Sequence, residues 1–320
     1  MLIYEKLLDM SEDWLKYAIQ LNLLHKNKND LVELKKQAVN CEKIRAYLCD
    51  ITNFHSTLVS NHKNPELPIH KLLFLLDNGL DATIPEIKIA VDEIMKHRDK
   101  NGVYQSLVNI PKHFGGSGED MFSWCLCDAP LLLLALLKAG IDYSSHIKAG
   151  VDYLISFHKE NGFPCAVSSE LGKFRGPGGK EDCCPYATLI MLKLLSCIPE
   201  YQDSDIAKDT AFTLMNLWKN SLEKHPYMFY MGTDFRKLKA PAVWYDIVSV
   251  TDALSRCKSI RNDSRFKEML ALIQIKQDDN GLFIPEAVYQ KLKGWDFGQK
   301  KTPSPYLTYL CLQIFEQAGV

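Results

Sequence analysis

The sequence predicts an all-α fold, an α/α toroid of about five helical-hairpin repeats with an N-terminal helical cap. Three observations carry this expectation. Five apolar runs place Pro68, Ala129, Ala187, Asp246 and Leu307 at equivalent positions, 61, 58, 59 and 61 residues apart. A period that regular marks one supersecondary unit copied along the chain. Helical stretches alternate between amphipathic and wholly apolar, as an outer ring around an inner ring requires. Connections also alternate between short and long, so the long ones share one end of the ring.

The first sixty or so residues lie outside the period. Ser11 is suited to cap a helix from Glu12 to about Leu24, with Asp30–Val39 and Glu42–Ser60 as two further helices. Residues 1–64 are expected to cap the ring beside the last repeat, or to form an appended interaction surface, and residues 65–320 to form one compact body. Amphipathic helices are expected at Pro85–His97, His146–His158, Asp205–Lys219 and Arg265–Lys276. Three of them stop at an Asn-Gly pair, 101–102, 161–162 and 280–281, residues that tolerate the left-handed backbone at a helix end. The third repeat carries Lys224-His225-Pro226 there and is the irregular copy. Apolar helices are expected at Ala129–Leu137, Ala187–Leu195, Ile247–Leu254 and Leu307–Phe315. Links of about twenty residues, near Asn101–Phe122, Asn161–Cys183, Ser221–Pro241 and Asp279–Ser304, are expected to form the working face.

Composition narrows the function classes. The 320 residues are 47% hydrophobic and 24% charged with a formal net charge of −1, which argues against nucleic acid as a partner. No apolar run is long enough to span a bilayer, and the acidic residues among the first seventeen exclude a secretory signal there. A cytoplasmic location with reduced structural thiols is expected for the ten cysteines.

The segment Gln277-Asp278-Asp279-Asn280-Gly281-Leu282-Phe283 resembles the Q-x-x-x-G-x-W element of squalene and terpenoid cyclases, with weaker copies at Arg98–Tyr104 and His158–Pro164. The period and the inner/outer contrast are similar to that superfamily, which includes the β-subunits of protein prenyltransferases. The resemblance covers roughly residues 65–320 and implies the toroid. It implies chemistry less well. There is no Asp-x-Asp-Asp acid of class II cyclases, and Asp278-Asp279-Asn280-Gly281-Leu282 lacks the third acid of a class I magnesium motif. Asp182-Cys183-Cys184 resembles the Asp-x-Cys of the prenyltransferase zinc site, but Val243 stands at the equivalent of Cys184 in the next repeat, and the expected His is missing. Phe114–Asp120, Glu170–Pro177, Gly232–Lys239 and Lys293–Gly298 are similar to segments of an uncharacterised bacterial family with prenyltransferase-like repeats, a resemblance that implies no activity.

The candidate site residues lie in the long links and at the starts of the apolar helices. Lys112, Lys173, Arg175, Lys180, Arg236, Lys237, Lys239, Lys291, Lys293, Lys300 and Lys301 accompany glycines there, a combination suited to an anionic ligand such as an isoprenoid diphosphate. Lys173, Arg175, Arg236, Lys237, Lys239 and Lys300, with the aromatic Trp244, Tyr245 and Trp295 and with Asp296, are the expected ligand-binding set. Neighbouring acids offer the competing reading, in which these charges pair with one another to hold the links in place. Asp128, Asp182, Asp246 and Asp296 stand where a carboxylate either caps a helix or, desolvated, acts as a general acid. His113 is a further proton-transfer candidate, and Asp252 with Arg256 reads as an ordinary intrahelical ion pair. Cys125, Cys127, Asp182 and Cys184 are candidate zinc ligands, with buried structural thiols as the alternative and magnesium as the other metal considered. The function expected is a prenyltransferase- or cyclase-like protein binding a small amphipathic or anionic ligand. The alternative is a non-catalytic scaffold that presents the long-link face to a protein partner.

Overall fold

A computed structural model describes residues 3–59, 61–172, 182–222 and 232–320. In chain order its α-helices are α1 (Ile3–Met10), α2 (Asp13–Asn22), α3 (Val32–Asn40), α4 (Glu42–Ile51), α5 (Pro68–Asp77), α6 (Pro85–Met95), α7 (Ala129–Lys138), α8 (Lys148–Ile155), α9 (Pro185–Leu195), α10 (Asp205–Lys219), α11 (Ile247–Ser255), α12 (Ser264–Gln274) and α13 (Pro305–Ala318). The fold is all-α. Among the described residues the one sheet is an antiparallel pair, Ser106–Val108 against Met121–Ser123, inside a long link. No helix of the described residues is long and apolar enough to cross a membrane.

Helices α5, α7, α9, α11 and α13 are buried nearly all round. Proline opens four of them, where its missing N–H costs nothing and its fixed φ favours the first turn. The helices between them bury one stripe only. In α10 the stripe is Ala207, Thr210, Ala211, Leu214, Met215 and Trp218, the spacing of a single helical face. One latch recurs. The Phe163 N–H donates to Thr188 Oγ1, and the Phe283 N–H to Thr308 Oγ1, both at 3.0 Å. Cys184 N and Ser304 N return the bond to Phe163 O and Phe283 O.

α5 packs on α7, α7 on α9, α9 on α11, and α11 on α13. The circuit closes where Phe74 of α5 meets Tyr306 of α13, ring centroids 5.2 Å apart. Trp14 of α2 wedges against both, at 5.3 and 5.4 Å. α1 and α2 also pack on α13, while α4 packs on α5 and α6.

Two local expectations fail. Ser11 does not cap α2; its hydroxyl donates back to Leu7 O at 2.6 Å, and Glu12 holds the cap position without a side-chain bond. The helix from Glu42 stops at Ile51 rather than near Ser60, because Thr52 and Ser56 turn their hydroxyls onto the carbonyls of Cys49 and Asn53.

Helix α8 and the first long link approach closely at Gly150, where an added Cβ would lie 2.4 Å from Gly102 O. Gly102 itself has φ +87°, which a larger residue adopts only under strain. Gly150→Ala is therefore expected to destabilise the protein by about 1–3 kcal/mol, read from the urea midpoint. An unchanged midpoint would mean that this contact yields freely.

Candidate functional site

The five inner helices and Asn22 of α2 surround a cavity of about 380 Å³. Leu73, Leu131, Leu134, Ile190, Val248 and Leu310 give it apolar walls. Pro241, Ala242 and Val243, at the end of the third long link, fold over the N-terminal ends of the helices and form its floor. The rim is built at the C-terminal ends by Asp77, Lys138, Arg256 and Gln317. Asp77 is half exposed, and Arg256 and Lys138 are 29% and 25% exposed at their side chains, so the cavity meets solvent at the end carrying the short connections.

The cavity's charges are arranged in steps. Lys138 Nζ pairs with Asp77 at 2.8 Å, and Arg256 pairs with Asp252 at 2.6 Å, the intrahelical bond their spacing predicts. Burial works to raise the Asp252 pKa, but Arg256, Lys193 and Lys138 outweigh it and hold the carboxyl below its usual range. Lys193 stands apart. Its ammonium donates to Ala242 O at 2.9 Å, and among the described residues it forms no salt bridge. Burial lowers its pKa, against the pull of Asp252, Asp77 and Asp246. Three cations thus face two carboxylates, leaving one positive charge uncompensated.

Likenesses among solved structures are distant. The chain is similar to a protein from Actinoplanes, with TM-score 0.43 and 10% identity over 96% of this chain and 90% of that one. It is also similar to a variant of the type II terpene cyclase MstE from Scytonema, solved with geranylgeranyl dihydroxybenzoate, with TM-score 0.41 and 10% identity over 96% and 87%. No protein-family model matches the chain, and no curated protein matches it in sequence.

The residues singled out in the sequence gather mostly at the other end of the helices. Asp128 Oδ1 accepts from Cys125 N, and Asp246 Oδ1 accepts from Ser249 N, each at 2.9 Å. Both are almost fully buried, the second oxygen of each has no hydrogen-bond partner among the described residues, and burial pushes both up to about 7. Each carboxyl therefore holds backbone at a helix start while keeping a proton near neutrality. The hydroxyls of Tyr186 and Tyr289 nearby are also buried with no hydrogen-bond partner among the described residues. Trp244 stacks on Tyr186 at 4.2 Å, Tyr245 packs against Phe235, and Lys239 Nζ lies 3.4 Å from the centre of the Tyr289 ring.

The remaining candidates are placed elsewhere. Trp295 belongs to the closure cluster, 5.6 Å from Trp14. Asp296 accepts from Ser304 Oγ at 2.6 Å and Tyr306 N at 2.9 Å, clamping the start of α13. The Arg236 guanidinium covers Trp218 at 4.3 Å, and Lys237 pairs with Asp234 at 2.5 Å. Lys300 borders a shallow surface depression beside Glu286, and His113 is exposed against Phe114. Asp182 is half-buried at the edge of the described residues, whereas Lys173 and Arg175 lie outside them.

Among the described residues no three His, Cys, Asp or Glu side chains gather to hold a metal ion. Cys127 Sγ meets His62 Nε2 at 2.9 Å, and Cys184 Sγ accepts from Ala187 N. Burial raises the Cys184 thiol to about 12, the opposite of what a thiolate ligand needs. Cys125, Cys127, Asp182 and Cys184 do not converge as a zinc site. His62 escapes sequence reasoning because it lies in a polar turn outside the repeats. Lys193 carried a signal: it is the lone cation in the run Ala187–Leu195.

Proposed function

We propose that the protein binds a small amphipathic anion in the central cavity, its charged group at Lys193 and its apolar part against the leucine and isoleucine walls. The observation that supports this reading is the one cation of the cavity with no ion-pair partner among the described residues, set beside leucine, isoleucine and valine side chains. A desolvated ammonium bonded to one carbonyl gains most from an incoming carboxylate or similar monoanion. The same count disfavours an isoprenoid diphosphate, whose several negative charges would exceed the one available. A prenyltransferase- or cyclase-like activity would then need a ligand of lower charge.

Calorimetric titration with octanoate, octanol and geranyl diphosphate tests this. Octanoate is expected to bind best. Lys193→Met should weaken it by roughly 10–100-fold, the worth of one charge-assisted hydrogen bond of about 1.5–3 kcal/mol. Equal binding of octanol, or tighter binding of the diphosphate, would overturn the proposal.

A further inference from the structure

The cavity holds a group whose chemistry goes further than attraction. Lys193 projects from the last turn of an apolar helix, and among the described residues its amine carries a single hydrogen bond, to the backbone oxygen of Ala242 in the floor. The other two lysine-like or guanidinium cations of the cavity are locked to carboxylates at 2.8 and 2.6 Å, so Lys193 differs from them in having no ion-pair partner among the described residues. An amine in such a place is a nucleophile as well as a charge. Resting on the anion-binding reading above, we infer that Lys193 forms a reversible imine with the carbonyl of an amphipathic oxo acid, an aldehyde or ketone that also carries one carboxylate.

Burial favours the neutral amine that attack requires, and Arg256 works in the same direction, while Asp252, Asp77 and Asp246 oppose it. The ammonium releases a proton and its nitrogen attacks the carbonyl carbon. A C–N bond forms, the C=O π pair moves to oxygen, and that oxygen takes up the proton. The nitrogen passes a second proton to that hydroxyl, which departs as water while the freed nitrogen lone pair closes the C=N bond, giving a cationic iminium. Ammonium plus carbonyl becomes iminium plus water, so no oxidant or reductant is consumed. Charge is also conserved. The iminium keeps the one positive charge that the ligand's carboxylate balances, and the Asp77–Lys138 and Asp252–Arg256 pairs stay as they are. A simple monoanion uses only the charge of Lys193, whereas an oxo acid uses the charge and the nucleophile together.

The full chain is incubated at neutral pH with 7-oxooctanoate and sodium cyanoborohydride, which reduces the iminium to a stable secondary amine. Intact mass and peptide mapping then locate the adduct, and octanoate binding is measured in parallel. The expected result is a single adduct on Lys193, formed roughly tenfold faster than on surface lysines and blocked by octanoate. Lys193→Arg should lose the adduct, because a guanidinium does not condense. Octanoate binding with adducts spread over surface lysines, or unaffected by octanoate, would overturn the imine and leave the anion reading standing. An adduct at Lys193 without octanoate binding would overturn the anion reading and support the imine chemistry. Neither binding nor adduct would overturn both.

Discussion

Replacing Phe74 with alanine is expected to cost about 3–5 kcal/mol, the range for a large aromatic removed from a tight core. Phe74 is 5% exposed and sits at the seam where the first inner helix meets the last. Its ring lies 5.3 Å from Trp14, 5.5 Å from Tyr47, 5.2 Å from Trp295 and 5.2 Å from Tyr306. These partners come from α2, α4, the last long link and α13, so collapse of one neighbour into the space cannot satisfy the others. Phe212→Ala is the control. That ring is 39% exposed on α10, and its loss should cost within about 1 kcal/mol. Urea unfolding at fixed pH measures both. Equal losses from the two variants would show that the seam contributes no more than an outer face.

Asp246→Asn is expected to change stability in a pH-dependent way. The Asp246 carboxyl is pushed up to about 7 by burial, from an ordinary value of 3.8. At low pH the group is protonated in both folded and unfolded chains and contributes nothing to the difference. As pH rises through the window between those values, the unfolded chain loses its proton while the folded one keeps it. The unfolded state then binds fewer protons, and stability falls with increasing pH. Above pH 7 the folded protein carries the whole cost of a buried carboxylate, on the order of 4 kcal/mol. Asparagine does not ionise, and its side-chain oxygen can still accept from Ser249 N. The variant should therefore gain on the native protein as pH rises from below 4 to above 7, by ~4 kcal/mol in all, of which about 3 kcal/mol falls between pH 5 and pH 8. Asp128→Asn should behave alike, since Asp128 has the same single bond and the same upward push to about 7. A difference that stays constant between pH 5 and pH 8 would refute the assignment.

The inner helices were legible because nearly every residue in them is apolar, and burial on all sides leaves no other reading. Their order around the cavity was legible from the period. Local capping was not. Ser11 has the residue type of a helix cap, yet a carbonyl one turn back in α1 competes for the same hydroxyl, and sequence alone does not rank the two. The end at which the cavity opens was also hidden. It depends on Pro241–Val243 folding inward over the helix starts, and no spacing announces that. The basic residues of the long links illustrate a related blindness. Arg236 and Lys237 stand side by side in sequence, but one covers an indole and the other meets a neighbouring acid. Charge type was readable, and partnership was not.

The seam formed by Phe74, Trp14 and Tyr306 bears on how the chain comes apart. A linear stack of hairpins can shed its terminal unit while the remainder survives, because each unit leans only on its neighbours. Here the earliest helices lean on the latest one, so fraying at either terminus strips support from the other. Denaturation should trace one sharp transition, and a nascent chain still short of α13 must carry uncovered greasy faces until synthesis is finished.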